Sequence, residues 1–157
     1  MPVAEDLVAL MALADAARLP MEEVTPESIR AGYSALAAQG GADMAEVVDR
    51  AIPGPDATDL PVRSYRPFGA TERPPVVVYL HGGGWTIGGL HTHDEPCRAL
   101  AAATGAVVVS VDYRLAPEHP FPAAVHDAYA AVFFVADNAD DLGVDADSLV
   151  VAGDSAG

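Results

Sequence analysis

Apolar and polar positions divide the chain into two textures. Between residues 5 and 19, Leu7, Leu10, Met11, Leu13 and Ala14 recur at the three-to-four-residue spacing of a helix with one apolar face. Thr25-Pro26-Glu27 then reads as an N-cap, a first-turn proline and a first-turn acid. A second helix is predicted from there to about Ala38, stopped by Gly40-Gly41. Beyond those glycines the pattern changes to short apolar runs. Ala45–Ile52 and Leu60–Tyr65 read as strands separated by Pro53-Gly54-Pro55. Val76–Leu80 and Ala106–Val111 are continuous and β-branched, as in strands covered on both faces of a mostly parallel sheet. Asp94–Thr104 and Ala123–Ala136 read as crossover helices, and Leu149–Ala152 as a third buried strand. Strand, helix, strand, helix, strand is the order of a doubly wound α/β sheet. No internal repeat or low-complexity segment interrupts it.

Composition narrows the picture. The 157 residues suit one ordinary domain, and 51% hydrophobic content is enough for a packed core. No apolar run approaches the roughly 20 residues of a membrane helix, so no membrane span is expected. Glu5 and Asp6 stand where a secretory leader would carry basic residues. The formal charge is −15, and all eight basic residues are arginines. Such a surface argues against nucleic acid and anionic membranes as partners. Cys97 is the one cysteine, which removes any internal disulfide and suits a cytoplasmic protein. It lies in a helical pattern with no basic cluster nearby in sequence, so a buried structural thiol is expected rather than a nucleophile.

Two motifs carry chemistry. Gly153-Asp154-Ser155-Ala156-Gly157 directly follows an apolar strand, the Gly-x-Ser-x-Gly pattern of a nucleophile elbow. A serine on a sharp strand-to-helix turn needs a strained backbone, and the residues two before and two after it come too close for a Cβ. Ser155 is therefore expected at positive φ. His81-Gly82-Gly83-Gly84-Trp85 follows another buried strand. Consecutive glycines let backbone N–H groups converge on one point, as an oxyanion requires. Gly83, Gly84 and the N–H of Ala156 are the expected donors. His81, Gly82, Trp85 and Asp154 support them, His81 by bracing the loop and Trp85 as a wall. A phosphate loop is not indicated, because the Gly-Lys-Ser/Thr ending and the Gly-x-Gly-x-x-Gly spacing are both absent.

Together with Asp112-Tyr113-Arg114-Leu115-Ala116-Pro117-Glu118-His119-Pro120-Phe121-Pro122-Ala123-Ala124, these blocks make the chain resemble the hormone-sensitive-lipase-like branch of the α/β-hydrolases, which includes many bacterial carboxylesterases. The resemblance implies an α/β-hydrolase fold. Residues 1–40 would form an N-terminal helical cap region, and 41–157 the N-terminal part of the catalytic domain, truncated after the nucleophile elbow. It implies hydrolysis of short- to medium-chain acyl esters through an acyl-enzyme on Ser155, with no cofactor and no metal. A non-catalytic small-molecule receptor on the same scaffold, or an amide or aryl-acetyl hydrolase, is the alternative.

The resemblance is incomplete in one respect. In this fold the order is Ser, then Asp or Glu, then His. His81, His91, His93, His119 and His126 all precede Ser155. The acid and base are therefore expected beyond residue 157, in a C-terminal half of the same enzyme, and residues 1–157 alone are expected to be inactive. A homo-oligomer is compatible with the sequence.

Four further expectations follow from the residues. His91-x-His93-Asp94 has metal-ligand spacing, but Glu95-Pro96 stands where a binuclear motif needs a further Asp-His, so a loop entering a helix is expected instead. The aspartates between 137 and 147 do not fit a calcium loop. Arg114 and Glu118 are expected to pair beneath the glycine loop, and one or both of Ala116-Pro117 and Phe121-Pro122 to be cis.

Overall fold

Val76, Val78, Val108 and Val111 are fully buried, and around them the sheet is built. A computed structural model describes residues 24–37 and 40–157. The helix expected over 5–19 lies outside the described residues. Strands β1 (Met44–Pro53), β2 (Asp59–Pro67), β3 (Pro75–Leu80), β4 (Val107–Val111) and β5 (Asp145–Gly153) form one five-stranded sheet in the order β1-β2-β4-β3-β5. Pairing is parallel where β3 meets β4 and β5, and antiparallel where β2 meets β1 and β4. The sheet is thus mixed. The tight connection through a 3-10 turn at Pro55–Ala57 makes β1 and β2 a hairpin, whereas helical crossovers enforce parallel neighbours.

Helix α1 (Pro26–Leu36) begins with the Thr25 cap, whose hydroxyl accepts from the Ser28 N–H while Ser28 Oγ accepts from the Thr25 N–H. It ends before the glycines that were expected to stop it, with Ala37 extended. Helix α2 (Asp94–Thr104) crosses from β3 to β4. Its small buried residues, Cys97 and Ala101, seat it against Tyr65, Val77 and Val108. Helix α3 (Ala123–Asp137) covers the opposite face, bringing Ala131 and Val135 onto Val76, Val78, Val107 and Val109. The short α4 (Ala139–Leu142) then turns the chain into β5. Each buried valine contributes roughly 1.5–3 kcal/mol. An exposed ion pair such as Arg63–Asp49 contributes under about 1 kcal/mol, so the two apolar layers hold the sheet.

Leu149–Ala152 is apolar enough for a strand covered on both sides, and in the described sheet Val150 and Val151 are about half exposed. The reason is position: β5 is the edge of the described sheet, paired with β3 alone. Among the described residues, no helix is long and apolar enough to cross a membrane.

Candidate active site

Leu80, the last residue of β3, pairs with Gly153, the last of β5, in parallel register. The glycine loop after β3 and the serine turn after β5 therefore leave the same sheet edge side by side. The winding direction of the sheet reverses at β3, and open α/β sheets bind ligands at the carboxyl ends of strands beside such a reversal.

The serine turn is tight. Ser155 has φ 52 and is exposed, as expected for a strained turn. A Cβ on Gly153 would lie 2.5 Å from the Leu80 carbonyl oxygen, and one on Gly157 would lie 1.9 Å from it. Only glycine fits at either place. The Gly157 N–H closes the turn onto the Asp154 carbonyl at 2.9 Å. No side chain among the described residues hydrogen-bonds to Ser155 Oγ.

Asp154 ties the two loops together. Its Oδ1 accepts from the Gly82 N–H and from the Tyr79 hydroxyl, both at 2.8 Å, and His93 Nε2 stands 3.4 Å away. Gly82 has to be glycine here, because a Cβ would meet Asp154 Oδ2 at 2.2 Å. Burial alone would raise the Asp154 carboxyl. The hydrogen bonds from Tyr79 and Gly82 and the nearby histidines outweigh it and hold the group below its ordinary value. Past Gly82, residues Gly83, Gly84 and Trp85 follow at φ 124, 57 and 57. The loop closes with the Thr86 and Ile87 N–H groups donating to Gly83 O.

His81 lies beneath this loop, fully buried. Its ring stacks on Tyr113 at 4.2 Å between centroids and on His93 at 5.3 Å. Nδ1 is 2.8 Å from Gly82 O. A carbonyl only accepts, so the neutral ring carries its proton on Nδ1. Burial pushes the His81 pKa down, which favours that neutral form. The Tyr113 hydroxyl donates to His81 O. Both Ala116-Pro117 and Phe121-Pro122 are cis.

The expected Arg114–Glu118 pair does not form. The Arg114 N–H and guanidinium instead surround the Asp127 carboxylate at 2.7–3.1 Å. Asp127 is 1% exposed on α3, and a carboxylate so placed requires an opposite charge. Glu118 is taken by Arg30 of α1, at 2.7 and 2.8 Å. His91, His93 and Asp94 do not converge either. His91 meets Ser34, His93 faces Thr92 and Asp154, and Asp94 binds Arg63, Tyr65 and Arg98. Among the described residues no group of three or more His, Cys, Asp or Glu side chains could hold a metal ion.

Trp85 is 54% exposed and forms a wall between two apolar hollows. The larger, about 370 Å³, is lined by Ala116, Phe121, Pro122 and Val125 among others. The smaller, about 150 Å³, reaches Leu80, Tyr129 and Ala156.

A family model described as the alpha/beta hydrolase fold matches residues 77–157, from β3 through the serine turn. The chain belongs to the α/β-hydrolase fold family. Among members of the family, carboxylesterase NlhH of Mycobacterium tuberculosis is 53% identical over 111 residues, covering 71% of this chain and 35% of that protein. Ethyl acetate hydrolase of Pseudomonas putida is 39% identical, over 97% of this chain and 51% of the relative. Among solved structures, a hyperthermophilic esterase from the archaeon Pyrobaculum calidifontis superposes with a TM-score of 0.86 at 45% identity, covering all of this chain and 51% of that one. The chain thus spans between about a third and a half of the length of these α/β-hydrolases.

Two participants in the site carry little signal in the sequence. Tyr79 reads as one more apolar strand residue, and His93 as part of a metal-like spacing or a helix entry. Tyr79 and His81 are two apart, so in an extended strand they share a face. That spacing was the available clue.

Proposed function

We propose that this chain is the nucleophile-bearing part of a serine carboxylesterase acting on short- to medium-chain acyl esters. The observation that carries the reading is the Leu80–Gly153 register, which sets an exposed, positive-φ serine beside a loop of glycines. Ser155 Oγ attacks the ester carbonyl. The N–H groups of Gly83, Gly84 and Ala156 stabilise the oxyanion, and each such donor is worth about 3–4 kcal/mol of barrier. The acyl-enzyme is then released by water. The hollow of about 370 Å³ beside Trp85 is large enough for such a chain and, apart from His119, is lined by apolar side chains and glycine. The relatives named as esterases support the same substrate class.

A serine needs a base. His81 is buried, with Nδ1 committed to Gly82, His91 and His93 are engaged elsewhere, and His119 and His126, like them, precede Ser155, whereas the base of this fold follows the serine. The base and its orienting acid are therefore assigned to the part of the complete protein that this chain does not span. The test uses the complete enzyme with p-nitrophenyl acetate through octanoate. Ser155→Ala should lower kcat by on the order of 10⁶ with circular dichroism unchanged. Residues 1–157 alone should show no turnover above background. A Ser155→Ala enzyme keeping more than a few per cent of activity places the nucleophile elsewhere.

A further inference from the structure

Arg30 makes contacts that a surface arginine on a covering helix does not need. Its Nε donates to Thr86 O at 2.8 Å, and Nη2 donates to Ala116 O at 2.8 Å. The same guanidinium grips both oxygens of Glu118. Both carbonyls belong to residues that adjoin Trp85, Thr86 in the chain and Ala116 by a hydrogen bond. Thr86 sends its own N–H to Gly83 O, and Ala116 sends its N–H to Trp85 O at 2.8 Å. One planar fork from α1 therefore fixes the outgoing half of the glycine loop against the segment that lines the larger apolar hollow. Side-chain exposure of 28% leaves it partly shielded from water.

We propose that Arg30 is a positioning residue, through which helix α1 sets the geometry of the oxyanion loop rather than merely covering the acyl chain. The proposal rests on the esterase reading above. Its logic is mechanical. The loop runs through three successive positive-φ residues, Gly83 to Trp85, and such backbone stays in place only where its surroundings enforce it. Asp154 holds the incoming end at Gly82, and Arg30 holds the outgoing end at Thr86. Releasing the second tether lets the Gly83 and Gly84 donors drift from the developing charge. A covering role alone would instead affect long acyl chains, through KM.

The experiment compares the complete enzyme with Arg30→Ala, Arg30→Lys and Glu118→Gln on p-nitrophenyl acetate, whose acyl group is too short to need a cover. Arg30→Ala should lower kcat by 10- to 100-fold with KM changed less than threefold. Arg30→Lys should recover little, since one ammonium cannot reproduce the fork. Glu118→Gln, which keeps an oxygen acceptor and both carbonyl contacts, should stay within about fivefold of the parent and guards against misfolding. Hydrogen exchange of the peptide spanning 83–90 should quicken in Arg30→Ala, and this readout does not depend on turnover. Unchanged kcat, a change confined to KM, or unchanged exchange each overturns the proposal. A parent enzyme without Ser155-dependent turnover would sink the esterase reading instead, and the exchange comparison would still decide whether Arg30 holds the loop.

Discussion

Replacing Gly157 by alanine tests whether the serine turn is as tightly built as its geometry states. The added Cβ would sit 1.9 Å from Leu80 O and 2.9 Å from His81 O. Real Cβ atoms do not approach within about 3.0 Å of such neighbours, so more than about 1 Å of separation has to be gained. Neither partner is a flexible side chain. Leu80 O belongs to the end of β3, whose register with Gly153 is the base of the turn. The turn must therefore shift, carrying Ser155 and the Ala156 N–H with it. A 1 Å misplacement costs on the order of 10²-fold, and weakening one oxyanion donor adds about 10–10³-fold. Hydrolysis of p-nitrophenyl acetate by Gly157→Ala should fall about 10³-fold in kcat/KM, equivalent to about 4 kcal/mol. Stability should fall by only about 1–3 kcal/mol, the usual cost of overpacking. Gly69→Ala is the matched control: φ is +74, so backbone strain is present, but nothing lies within 4 Å of the added carbon. It should lose about 1 kcal/mol of stability and no activity. A Gly157→Ala enzyme within tenfold of its parent would refute the argument.

Three other outcomes follow from buried groups. Asp127→Ala strips Arg114 of its buried partner and should cost about 2–3 kcal/mol in a denaturant melt, less than a wholly buried pair because Arg114 keeps 22% exposure; a loss under 0.5 kcal/mol would contradict it. Burial pushes the Cys97 thiol up to about 12, so iodoacetamide at pH 8 should leave it unmodified in the folded enzyme and alkylate it once unfolded. Because His81 is held neutral below its ordinary value, unfolding takes up a proton as pH falls below about 6.5 and stability drops through that window, by up to about 1.4 kcal/mol per pH unit. His81→Gln should flatten that dependence between pH 8 and pH 5, and identical pH profiles would remove His81 as its source.

What the sequence made legible was whatever depends on local pattern. The valine-rich runs of β3 and β4 announce strands covered on both faces, and Val76–Tyr79 and Val107–Val111 are buried. Thr25-Pro26 announces a helix start, and the capping box is there. Asp94–Thr104 is helical over the expected residues. Val150 and Val151 are exposed because β5 is the edge of the described sheet; an apolar run serves a central or an edge strand, and neighbours alone decide which.

The electrostatic pairings were hidden for a related reason. Arg114 and Glu118 stand four apart in sequence, which suggests a local pair. Each is claimed instead by a partner whose own burial or placement is set by the fold, Asp127 on the inner face of α3 and Arg30 on α1. The glycines show the same rule from the other side. Gly82 and Gly157 read as motif letters, but what forbids a side chain is in each case an atom far away in sequence: the Asp154 carboxylate for Gly82, the Leu80 carbonyl for Gly157. The two motifs are thus one object. Gly82 can be reached by Asp154 only because β5 lies in parallel register beside β3, and that register places Gly157 against the end of β3. A change that slides β5 by one residue would break the Asp154 tether and the serine turn together. The coupling between the serine turn and the glycine loop accordingly resides in the β3–β5 ladder and in the Asp154 tether that it positions.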